Sequence, residues 1–113
     1  MQYALLIHRT TEATPEERRE VEAGVAPVLG RPYVRSWTRL HPPETATTVH
    51  GPREAPLLTD GPFIDTKEYL AGIIVIEVAD LDAALAVATE LQALRPGLAI
   101  EVRPVREEVP GGG

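Results

Sequence analysis

The stretch Gly72-Ile73-Ile74-Val75-Ile76-Glu77-Val78 is apolar at nearly every position. A strand of that composition expects cover on both of its faces, as the centre of a sheet provides. Working outward from it, Asp80 stands where a helix cap would, and Leu81, Leu85, Ala88 and Leu91 recur at helical spacing as one apolar stripe, with Gly97 as the stop. Beyond it, residues 98–105 alternate, setting Leu98, Ile100 and Val102 on one face and Ala99, Glu101, Arg103 and Val105 on the other.

The same order occurs earlier in the chain. Residues 3–8 (YALLIH) form a second apolar run, bounded by the polar residues 9–13. Thr14, Pro15 and Glu17 then supply a capping hydroxyl, a proline at the first helical position and a glutamate three residues after the cap, the elements of a capping box. Val21, Val25 and Val28 continue that helix, although Gly24 and Pro27 weaken it, so an end near Ala23 or a kink is expected. Residues 34–40 (VRSWTRL) alternate with Val34, Ser36, Thr38 and Leu40 on one face and Arg35, Trp37 and Arg39 on the other, open face. Residues 41–63 are rich in Pro, Thr and Gly and read as a long loop, in which only 45–49 could form a short strand or hairpin arm. The order β-α-β-loop-β-α-β predicts an α+β, ferredoxin-like βαββαβ domain with an antiparallel sheet, its first and third strands central. Helices cover only one face of such a sheet, so the other face exposes apolar side chains of both central strands, and self-association as a homodimer is the simplest cover.

Composition sets the limits. The 113 residues suit a single domain, expected over 1–107 with a flexible tail at 108–113. There is no cysteine, which removes disulfides and thiolate chemistry from consideration. The formal charge of −6, with arginines scattered among carboxylates, gives no electrostatic reason to expect nucleic acid. No apolar run approaches the ~20 residues of a membrane helix, and no signal peptide is evident, so a cytoplasmic protein without a membrane partner is expected. The three histidines, His8, His41 and His50, show no spacing typical of a shared metal, so neither metal nor cofactor is expected.

The densest chemistry is the segment Thr59-Asp60-Gly61-Pro62-Phe63-Ile64-Asp65-Thr66-Lys67-Glu68, built around a Gly-Pro turn. Asp60, partly shielded by Phe63, could act as a general acid or base, or could serve the turn by accepting backbone hydrogen bonds. Lys67, the sole lysine, could hold a substrate carboxylate or act as an amine nucleophile, with Glu68 as its partner or as a second carboxylate. The structural alternative is a clasp in which Lys67 pairs with Asp60 or Asp65. His41, following Arg39 on the open face beside Trp37, is the expected proton shuttle, against the simpler reading of a surface histidine before Pro42-Pro43. Arg103 could clamp an anion or pair with acidic neighbours, and Thr66, Phe63 and Trp37 complete the expected substrate contacts. No nucleophile elbow, phosphate loop or dinucleotide fingerprint occurs.

With Asp60, Gly61, Pro62, Phe63, Thr66, Lys67, Glu68 and Gly72 in place, the chain resembles the DGPF-motif branch of the YCII-related family. Residues 3–7, 43–49 and 101–105 are similar to that family's opening, middle and closing segments. The first helix departs from the pattern, because it lacks the histidine of the wider group's proposed His–Asp site. The resemblance implies a ferredoxin-like subunit, a dimeric α+β barrel and a pocket between sheet and loop, with no substrate attached. The expected function is therefore a small-molecule-binding homodimer, an acid–base protein without cofactor acting on a small polar or carboxylate substrate. The alternative is a noncatalytic metabolite-sensing or protein-interaction module.

Overall fold

The computed structural model describes residues 1–10, 14–64, 66–94, 98–109 and 111. Among these residues six strands and two α-helices follow one another as β1 (Gln2–Arg9), α1 (Pro15–Leu29), β2 (Val34–Arg39), β3 (Thr47–His50), β4 (Leu57–Asp60), β5 (Tyr69–Glu77), α2 (Leu81–Ala93) and β6 (Leu98–Pro104). Strands β2, β5, β1 and β6 form one antiparallel sheet in that spatial order. The two most apolar strands, β5 and β1, are its centre, and the ferredoxin-like α+β fold is present.

Strict alternation along β1 sends Tyr3, Leu5 and Ile7 into the core and leaves Ala4, Leu6 and His8 half-buried on the opposite face. Opposite them, Ile74 and Ile76 of β5 enter the same core, which is closed by Val25 and Val28 of α1 and by Ala84, Val87, Ala88 and Leu91 of α2. Ile73 and Val75 lie on the far face with Leu6, only half-covered by the chain itself.

The capping box forms as expected: Glu17 N–H donates to Thr14 Oγ1 at 3.1 Å, and Thr14 N–H donates to Glu17 Oε2 at 3.0 Å. The end of α1 does not follow expectation, because the helix runs through Pro27 to Leu29. Proline costs one hydrogen bond to the carbonyl four residues back. So close to the C-terminus, that loss is outweighed by the burial of Val25 and Val28 on either side of it. A two-pronged bond from Arg31 to Glu90, 2.7 Å on each arm, then ties the turn after α1 to α2.

The stripe expected on α2 is also corrected. Asp80 caps the helix, its carboxylate accepting from Ala83 N–H at 2.9 Å, but Leu81 and Leu85 remain 48% and 44% exposed. The buried face is Ala84, Val87, Ala88 and Leu91, whose two alanines let the helix backbone approach the sheet closely. The helix closes at Leu94, and the expected stop at Gly97 lies outside the described residues.

Two irregularities shape the sheet. A bulge between Val34 and Ser36 places Trp37 opposite Ile74 and Arg39 opposite Gly72, while Ser36 and Thr38 oppose Val75 and Ile73. Trp37 and Arg39 therefore face the helices and not the open side expected for them, because one extra residue reverses every side chain that follows it. A second shift, between Ile7 and His8, sets Ile7 opposite Gly72 and His8 opposite Leu70. Gly72 is needed at this crowded point: a Cβ there would lie 2.8 Å from the Thr38 carbonyl oxygen.

Residues 41–63 are more ordered than a loop. A 3-10 turn at Pro43–Thr45 precedes a hairpin in which Thr47 pairs with Asp60 and His50 with Leu57. This hairpin is a separate two-stranded sheet, and every side chain of β4 is exposed. It stands out from the body as an arm, and the radius of gyration of 15.9 Å exceeds the ~13 Å of a compact chain of this length.

Candidate functional site

The arm ends in the polar motif. Gly61, at φ +96°, makes the turn after β4 that a side chain would oppose. Its N–H donates to Ala46 O at 2.8 Å and its carbonyl accepts from Thr48 Oγ1 at 2.7 Å. Phe63 folds back so that its ring centre lies 6.0 Å from that of His50. Backbone and Thr48 hydroxyl bonds and one aromatic contact thus hold the turn, and the carboxylate of Asp60 forms no hydrogen bond or ion pair among the described residues. Asp60 and Lys67 are both exposed, and neither has an ion-pair partner among the described residues. Thr66 Oγ1 donates to the Glu68 carbonyl at 2.6 Å, bending the chain just before β5. Asp65, the other proposed partner of Lys67, lies outside the described residues.

His41 is exposed just past the end of β2. Trp37, expected beside it, lies on the helix side of the sheet and receives the Arg39 guanidinium 4.5 Å above its ring; Arg39 Nε in turn lies 3.7 Å from Glu22 of α1. Trp37, Arg39, Val25, Leu29, Gly72 and Leu91 line a concavity between the helices and the sheet. Its volume of about 40 Å³ admits a few waters and not a metabolite.

On the open face, sequence reasoning missed a cluster. His8 Nε2 lies 3.3 Å from Glu101 Oε1, and Arg103 Nε donates to Glu101 Oε2 at 2.5 Å. The three side chains sit on neighbouring strands, with Ala4 opposite Arg103, Leu6 opposite Glu101 and Ala99 opposite His8. Arg103 chiefly, with a smaller contribution from His8, holds the Glu101 carboxyl below its ordinary value. Arg103 and Trp37 thus occupy opposite faces of the sheet, and one chain does not bring them together. The alternation of each strand already set His8 beside Leu6 and Glu101 beside Arg103; the antiparallel register that joins the two pairs was not readable.

Among the described residues, no cluster of three or more His, Asp or Glu is placed to hold a metal ion, and no helix is long and apolar enough to cross a membrane.

This sheet, with two helices on one face and a polar motif leading into its central strand, defines a small α+β domain of the ferredoxin-like kind. The chain belongs to the YCII-related family, whose domain matches residues 1–108. It is similar to an uncharacterized protein of Rhizobium meliloti (strain 1021), with 33% identity over 120 residues, covering 98% of this chain and 97% of the relative.

Proposed function

We propose that this YCII-related chain, of the DGPF-motif branch, is a small-molecule-binding homodimer that performs acid–base chemistry without a cofactor on a small polar or carboxylate substrate. Asp60 and Lys67 are its principal polar contacts, with His41 as a further proton carrier and Glu68, Thr66, Phe63 and Arg103 around the ligand. Supporting this is a single observation: the motif's carboxylate and ammonium stand exposed and unpaired among the described residues, beside the exposed rings and chains of Phe63 and Ile64. A clasp between Asp60 and Lys67 would have spent those charges on each other; left apart among the described residues, they suit a ligand, since a charged group that pairs only when substrate arrives contributes to binding without a prior partner to displace.

The dimer is supported by the half-covered face carrying Ala4, Leu6, Ile73 and Val75, apolar surface that a second copy would remove from water. The second reading, a noncatalytic sensing or interaction module, is favoured by the arm, where Val49, Leu58, Phe63 and Ile64 are 66–74% exposed.

A thermal-shift screen of small carboxylates, keto acids and phenols against wild type, Asp60→Asn and Lys67→Met tests the first reading. A ligand that stabilises wild type and neither folded variant is the expected result. No stabilisation by any compound, with both variants merely less stable, would leave the motif a structural element. Sedimentation of wild type beside Val75→Arg tests the assembly: a dimer that the substitution converts to monomer is expected, and a monomeric wild type ends the proposal of self-association.

A further inference from the structure

The strongest cluster outside the motif is His8, Glu101 and Arg103. Geometry assigns each a distinct task. An ionised carboxylate only accepts hydrogen bonds, so the proton between His8 Nε2 and Glu101 Oε1, 3.3 Å apart, belongs to the imidazole. That leaves Nδ1 as the nitrogen able to take a proton from elsewhere. Arg103 spends its Nε on Glu101; its two terminal amino groups form no hydrogen bond among the described residues, and that fork suits a second carboxylate. Exposure rises along the row, at 30% for the His8 side chain, 41% for Glu101 and 68% for Arg103. Within a single chain the imidazole is thus shielded while the guanidinium, on the edge strand, reaches solvent.

Position adds a further link. Ala4, Leu6 and Ala99 surround the row with small or apolar side chains, and His8 pairs with Leu70, two residues beyond Glu68. The polar motif therefore enters the sheet at the end where His8 stands.

We propose that His8, Glu101 and Arg103 form a binding site for small carboxylates, at which Arg103 holds the carboxylate, His8 transfers the proton and Glu101 positions the imidazole. This rests on the acid–base reading above and supplies it with a substrate class and a histidine on the first strand. The step balances without an oxidant or reductant. Neutral Nδ1 takes a proton from an acidic C–H of the bound molecule, whose electron pair remains as an enolate; the imidazolium stays hydrogen-bonded to Glu101; and the reverse transfer returns the proton.

Three histidines make the test direct. Pyruvate and malonate are titrated into the labelled full chain while the imidazole resonances are followed, assigned through single histidine-to-glutamine variants. Saturable movement of His8 alone is expected, weakened about tenfold or more in Arg103→Gln and less in Arg103→Lys. His8→Gln, folded by circular dichroism, should still bind pyruvate but lose the exchange of its methyl protons with deuterated water; Glu101→Gln should bind and exchange slowly. If the probes move the resonances of residues 60–68 and leave His8 still, the inference fails and the motif reading stands. If His8 responds while Asp60→Asn and Lys67→Met bind as wild type does, the inference stands and the motif reading fails. Binding without exchange in wild type overturns the proton-transfer role, and no binding at any site overturns both proposals.

Discussion

The body and the arm of this molecule use similar residues to opposite ends. In the body, Leu5 and Ile76 lose all contact with water between sheet and helices. In the arm, Leu57 and Leu58, in a strand paired on one side only, keep more than half of their surface exposed. Both regions are antiparallel sheet, but β1 and β5 pair on both sides and β4 on one; the main sheet also has two helices packed on it, where the hairpin has none among the described residues. A lone two-stranded hairpin is marginal in water, which makes the arm dependent on its Gly61 turn and on the His50–Phe63 contact.

Truncation in the two regions sharpens the contrast most. Leu5→Ala should cost about 3 kcal/mol in urea unfolding, from lost burial and the cavity left behind. Leu58→Ala should change the stability of the isolated chain by no more than about 0.5 kcal/mol, as exposed substitutions do. Equal losses would mean that the arm is packed in solution. A Leu58→Ala chain that unfolds normally but dissociates more readily would place the arm on a partner subunit.

The two glycines carry the comparison to the backbone. Gly72→Ala must fit a methyl group 2.8 Å from the Thr38 carbonyl, and overpacking of this kind costs ~1–3 kcal/mol of global stability. Gly61→Ala meets no atom within 4 Å and is opposed only by its φ of +96°, a penalty of roughly 1–2 kcal/mol. That loss should appear in the arm, as faster amide exchange at Thr48 and Gly61, before it appears in the unfolding midpoint. Global unfolding that responds equally to both would show the arm and the body to be one cooperative unit.

Much of the body was legible because one-dimensional patterns fix it. Apolar runs named the two central strands, alternation in β6 named its apolar face, and Thr14 and Asp80 marked both helix starts. The errors share a cause, since each depended on an interaction between elements. The bulge after Val34 is a feature of β2 pairing with β5, and it turned Trp37 and Arg39 to the helix side. Leu81 and Leu85 share a helical spacing with Ala88, yet the sheet selected the smaller Ala84 face. Strand β4 has little pattern of its own and forms against β3. In the site, the motif was visible as a run of polar types, whereas His8 and Glu101, 93 residues apart, meet only through strand register.

Capping chemistry provides a smaller effect confined to the body. Thr14→Ala removes the hydroxyl that receives Glu17 N–H and disrupts the reciprocal bond, for a loss of ~1 kcal/mol. Thr14→Ser should restore most of it, and a failure of serine to do so would assign the loss to packing of the threonine methyl.

The gentlest probe is acid. Glu101 and Glu90 both have carboxyl values held below the ordinary range, Glu101 by Arg103 before His8 and Glu90 by Arg31. A carboxylate whose value is lower folded than unfolded binds fewer protons in the native state, so its contribution is complete above the unfolded value and disappears as pH falls through the folded one. Stability should therefore decline below the normal carboxylate range, and Glu90→Gln and Glu101→Gln should each flatten that decline. Because these groups are solvent-accessible, added salt should reduce the difference between each variant and wild type.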